Sequence, residues 1–174
     1  MTADARGAAQ ASLVALRREV RRRAVANVTL ILLDVARRCD GRLGVRALDQ
    51  DTLLLEYRDV GSLVRVGELF RVERRDFTVL LACPPRWPLD RAAPITPLII
   101  TPDDFAHPNS DGHGLCIDLD GVVPERIPAL LYDNLRLRRY RLDHCVDASA
   151  AAFVRGHLEL FPADPRPLHP MEGS

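Results

Sequence analysis

The chain has 174 residues, 47% of them hydrophobic and 28% charged, a length and composition that fit one globular domain with a full core and leave little room for a second. Its formal net charge is zero, which removes the global electrostatic case for a nucleic-acid partner. The longest apolar run, residues 28–35, is interrupted by Asp34 and falls far short of the roughly 20 residues of a membrane span, and the N-terminus lacks a basic start followed by an apolar stretch, so no membrane partner and a cytoplasmic location are expected.

Apolar residues at Leu13, Leu16, Val20, Ala24, Val28, Ile31 and Val35 recur at spacings of three and four, predicting one long helix or two over residues 8–38, stopped by Asp40 and Gly41. Arg17, Arg18, Arg21, Arg22 and Arg23 crowd its outer side, as a solvated face or as a docking surface for an acidic partner. The period then shortens. Strand-like runs at 43–48, 52–59, 63–72 and 77–82 are separated by turn signals at 49–51, 59–61 and 74–76, predicting a four-stranded antiparallel meander. A proline-rich passage follows from Cys83 through Trp87 to Pro94 and Pro97, where missing donors and fixed φ exclude a central strand or helix. A short apolar run, residues 98–100, leads into an irregular loop over 101–120; helices are predicted over 127–140 and 148–160, the second capped by Asp147 or Ser149. The fold class is therefore α+β, one domain over residues 1–162, with a disordered tail over 163–174.

The loop from Phe105 to Asp120 reads FAHPNSDGHGLCIDLD, and a structureless stretch of that length inside a compact domain is a place for function. Four cysteines without CxxC spacing argue for free thiols, and Cys116, in the loop, is the candidate nucleophile. Cys39, Cys83 and Cys145 are expected to be small, partly buried hydrophobes, although His144 beside Cys145 raises a second Cys/His pairing. His107, His113, Cys116, His144 and Cys145 could alternatively hold zinc, at a spacing that matches no established zinc pattern.

This loop resembles the active-site segment of ubiquitin-conjugating enzymes, in which His-Pro-Asn precedes a short loop, a glycine, an apolar residue and the catalytic cysteine; His107-Pro108-Asn109 and Gly114-Leu115-Cys116-Ile117-Asp118 fit that pattern. Cys83-Pro84-Pro85-Arg86-Trp87-Pro88 is similar to the family's proline-aromatic-proline passage, and the order of elements agrees over about residues 8–160. The interval from Asn109 to Cys116 is about one residue short for the family, and the tryptophan common after its cysteine is missing. Such divergence is similar to that of bacterial relatives encoded beside ubiquitin-like proteins and activating enzymes, some linked to antiviral defence.

The resemblance implies a transferase that takes a ubiquitin-like modifier from an activating enzyme by transthiolation onto Cys116 and passes it to an amine of a target protein, with no cofactor. It implies Asn109 as oxyanion donor or loop brace, His107 as a loop-ordering residue, Pro108 as the residue fixing the turn, and an activating enzyme docked on Arg17, Arg18, Arg21 and Arg22. Asp118 or Asp120 could orient the amine, and His113 has no evident role. A silent binding module of the same fold is the alternative. The chain contains no lysine, either through codon bias or because an exposed lysine would be acylated by the enzyme's own thioester.

Overall fold

The computed structural model describes residues 3–49, 51–90 and 95–169. Gln50 in the first predicted turn, Pro94 of the proline-rich passage and residues 170–174 of the predicted tail lie outside these. Helix α1 spans Ala3–Arg37, and strands β1 (Leu43–Ala47), β2 (Thr52–Val66), β3 (Leu69–Ala82) and β4 (Thr96–Thr101) follow, then helices α2 (Ile127–Leu135) and α3 (Ala148–Gly156). The sheet is antiparallel throughout in the order β1-β2-β3-β4. The architecture is thus α+β, as the sequence predicts. Among the described residues, no helix is long and apolar enough to cross a membrane.

Only the C-terminal half of α1 reaches the core. Val25, Val28, Leu32 and Val35 are buried with the sheet residues Leu53, Leu55, Phe77 and Val79, whereas Leu13, Leu16 and Val20 of the same predicted face are exposed. At 1.5 Å per residue the helix is about 50 Å long. Arg21 opens the packed half, donating to the carbonyls of Cys83 and Pro84 and pairing with Asp51 at 2.5 Å.

The four strands are divided differently from the prediction. The signal at 59–61 is a bulge inside β2, where the register slips between Tyr57 and Val60 and Asp59 takes φ 54°. The signal at 74–76 lies opposite, in β3: Asp76 accepts the Asp59 N–H at 2.8 Å and Arg74 donates to the Asp59 carbonyl at 2.9 Å. Polar residues that look like chain reversals thus satisfy the backbone that the bulge leaves unpaired. The real reversal is Gly67-Glu68, a two-residue hairpin between paired Val66 and Leu69, with Gly67 at φ 62°. The fourth strand is β4, the short apolar run after the prolines, which admits Pro97 because it lies at the sheet edge.

Helix α2 ends at Leu135, five residues before the prediction, in a Schellman turn. The Arg138 N–H reaches the Asp133 carbonyl and the Leu137 N–H the Asn134 carbonyl, with Leu137 at φ 58°. Leucine rarely takes that conformation. Here its side chain is buried with Leu63, Ala106, Ala150 and Val154 in a second apolar cluster, which offsets the strain. Asp147 caps α3, accepting the N–H groups of Ser149 and Ala150.

The predicted tail is not loose where it is described. Leu168 joins the main core, and the Asp164 carboxylate, fully buried, accepts from the Gly61 N–H, Arg74, Tyr132 and Arg166. Burial alone would raise the Asp164 carboxyl, but the hydrogen bonds from Arg166 and Gly61 prevail and hold it well below the usual carboxylate range. Composition misses this because a proline-rich segment needs no periodic apolar face when the Asp164 carboxylate, backbone carbonyls that accept from Arg42 and Arg136, and one buried leucine anchor it.

Candidate active site

Residues 104–106 run beside the end of β2: the Arg65 N–H donates to the Asp104 carbonyl at 2.7 Å and the Ala106 N–H to the Leu63 carbonyl at 2.9 Å. Phe105 packs edge-on against Phe77 and stacks on His107, pinning the start of the loop to the core. His107, Pro108 and Asn109 are all buried. The loop therefore grows out of a fixed base.

His107 bonds within the turn. Its Nδ1 accepts the Asn109 N–H at 3.0 Å, which places the proton of the neutral ring on Nε2. Burial pulls the imidazole pKa down to about 4, although the nearby carbonyls of Arg139 and Asn134 favour the protonated ring. At neutral pH it is an uncharged brace. The Pro108 carbonyl accepts from the N–H groups of Val146 and Asp147, tying the loop to the entry of α3.

Asn109 lies beside the cysteine, but its amide is already committed. The Nδ2 group donates to the carbonyls of Arg141 at 2.8 Å and His144 at 3.0 Å, and Oδ1 accepts the Arg141 N–H at 2.7 Å. Both amide hydrogens are used within the protein, an arrangement that favours the loop-brace role for Asn109 over the oxyanion role. What Asn109 gives the cysteine is its carbonyl, which accepts the Cys116 N–H at 2.8 Å.

The short interval between the two closes as a tight hairpin. Ser110 bridges Leu115, the Asp111 carboxylate accepts the N–H groups of His113 and Gly114, and Gly112 takes φ 102°. These bonds hold the Asp111 carboxyl below its ordinary range. The Leu115 N–H donates to the Pro97 carbonyl and the Ile99 N–H to that of His113, so the hairpin is also tied to the outer side of the edge strand β4. His113 serves through its backbone, its side chain being exposed.

Cys116 emerges at the end of this hairpin with its side chain exposed. It lies in a groove of about 710 Å³ shared with Asn109, Asp118, Leu130, Arg138, Arg139, Arg141 and His144. Asp118 is thus brought to the cysteine, whereas Asp120 lines a neighbouring depression and donates its N–H to the Asp118 carboxylate. Cys39 and Cys83 are buried as expected, and burial pushes the Cys83 thiol up to about 12. Cys145 is exposed, contrary to the expectation, because residues 141–147 are held by backbone bonds to the loop rather than by apolar packing.

No family model and no curated protein matches the chain. Among the described residues, no three His, Cys, Asp or Glu side chains converge on a point that could hold a metal ion, so the zinc alternative has no cage. The groove arginines are absent from the sequence reading, which assigns 136–140 to a continuing helix. The available signal was the density of arginine from Arg136 to Arg141 at a helix end, but nothing marks Leu137 as the residue that turns the chain. Of the arginines proposed for docking on α1, Arg21 is bound to the proline-rich passage and Arg22 to Glu19, leaving Arg17 and Arg18.

Proposed function

We propose that this protein is a conjugating enzyme, a divergent relative of the ubiquitin-conjugating family, that carries a ubiquitin-like modifier as a thioester on Cys116. The observation that carries the reading is the placement of an exposed cysteine at the end of a rigid hairpin whose base is a buried His-Pro-Asn turn, its N–H fixed on the Asn109 carbonyl. A thioester carrier needs an accessible sulfur at a defined position. It needs no triad-style base, because the acyl group arrives already activated as a thioester.

Transthiolation moves the modifier's C-terminal acyl group from the activating enzyme's cysteine to Cys116, releasing the first sulfur as thiolate. An amine of the target then attacks the carbonyl carbon, the C–N bond forms as the C–S bond breaks, the Cys116 thiolate departs, and the surplus amine proton passes to solvent or to Asp118. In this scheme Asn109, His107 and Pro108 are positioning residues.

The test uses the full chain with ATP and the ubiquitin-like protein and activating enzyme encoded nearest to it. An adduct that thiol reagents cleave is expected on the native protein, a thiol-resistant oxyester on Cys116→Ser, and none on Cys116→Ala. A thiol-sensitive adduct that persists in Cys116→Ala refutes the assignment, and no adduct on native protein favours the silent binding module.

A further inference from the structure

We infer that the groove beside Cys116 selects target amines flanked by acidic residues; this rests on the conjugating reading of that cysteine. Arg138, Arg139 and Arg141 line the groove against a single acid, Asp118. The acids nearest these arginines do little to neutralise them. Asp133 is held at 2.7 Å by the buried Arg136 and is 3.8 Å from Arg138, Asp143 is 3.5 Å from Arg141 with both side chains exposed, and Arg139 pairs with no acid among the described residues. The backbone that carries these arginines is held at both ends, by the Schellman turn at Leu137 and by the Asn109 amide, so the positive charge stays beside the groove.

Two consequences follow for an amine entering the groove. Neighbouring guanidinium groups disfavour its ammonium form, which raises the fraction of free base able to attack. Carboxylates on either side of the amine in the target meet the same guanidiniums and hold the segment there, each exposed pair contributing a few tenths to about 1 kcal/mol. The choice of arginine also matters. A guanidinium stays protonated and does not attack a thioester, whereas a lysine in the same groove would be acylated.

The experiment uses the full chain with Cys145→Ser, so that Cys116 is the remaining exposed thiol. Cys116 is loaded with an N-acetylglycyl group from its thiophenyl ester, and release to blocked peptides is followed by mass spectrometry. One peptide is Glu-Asp-Lys-Asp-Glu, the other its Gln/Asn counterpart, and each rate is corrected for aminolysis of the free thioester. The acidic peptide is expected to react about fivefold faster, the equivalent of two exposed ion pairs. That ratio should fall to one or below in Arg138→Glu/Arg139→Glu/Arg141→Glu, and shrink in about 0.5 M salt.

Equal rates on the native groove, or a preference unchanged by the triple reversal, overturn the inference. A triple variant that loads slowly but keeps the acidic preference also overturns it, by assigning the arginines to the donor. Failure of Cys116 to take any acyl group sinks the conjugating reading itself, and normal loading with charge-blind release sinks only the choice of acceptor.

Discussion

Replacing Asn109 by alanine separates bracing from oxyanion stabilisation. The substitution removes three hydrogen bonds between the loop and residues 141–144. At roughly 1 kcal/mol each the loss would approach 3 kcal/mol, but Arg141 and His144 are exposed and water can satisfy their carbonyls, so about 2 kcal/mol is expected. For a domain of this size that lowers Tm by roughly 4–8 °C. Amide exchange at Arg141 should rise, while Val146 and Asp147, still bonded to the Pro108 carbonyl, keep their protection. An oxyanion donor would behave in the opposite way, cutting acyl release about 100-fold or more with little change in stability. An Asn109→Ala protein with native Tm and native exchange at Arg141 refutes the bracing assignment.

Three further outcomes are expected. His107 is neutral and buried with its pKa near 4, against 6.5 for the free side chain; the unfolded chain therefore takes up the proton first, and stability should fall by about 3 kcal/mol in all as pH drops from about 6.5 to 4. Denaturant unfolding across that window should show a shallower slope for His107→Gln, and an identical slope would contradict it. Asp164→Asn leaves Arg42, Arg74 and Arg166 without their shared buried acid, costing about 3 kcal/mol. Because the Asp164 pKa is lowered by folding, its contribution is present above the ordinary carboxylate range and is lost progressively in stronger acid; native and variant unfolding curves should begin to converge only below about pH 4. Gly61→Ala places a Cβ 2.4 Å from the Ala163 carbonyl oxygen, so residues 163–169 should be displaced and become sensitive to protease; unaltered resistance would show that they bind elsewhere.

Periodic and compositional signals match the structure where burial and helix caps determine it. The three-and-four spacing of Val28 and Val35, the Asp147 cap and the proline passage ahead of the loop all correspond to observed elements. The errors have a common origin in contacts distant along the chain. Asp59 and Asp76 resemble turn residues until they meet across a bulge, and Leu137 carries no stop signal because its left-handed backbone is sustained by tertiary burial. The same holds in the site. The motif places Cys116 and Asn109 together, but only the return of residues 138–144 to the loop occupies the Asn109 amide and lines the groove with arginine.

The fastening of residues 163–168 also sets an order for making the protein. Arg42 donates to the Pro167 carbonyl across 125 positions, and Gly61 donates to Asp164 across 103. During synthesis the sheet leaves the ribosome before the segment that covers its bulge. Until those residues emerge, the Gly61 N–H at the bulge has no Asp164 to meet and Arg74 has only the exposed Asp59, so this stretch of β2 and β3 stays uncovered while the rest of the sheet can already form.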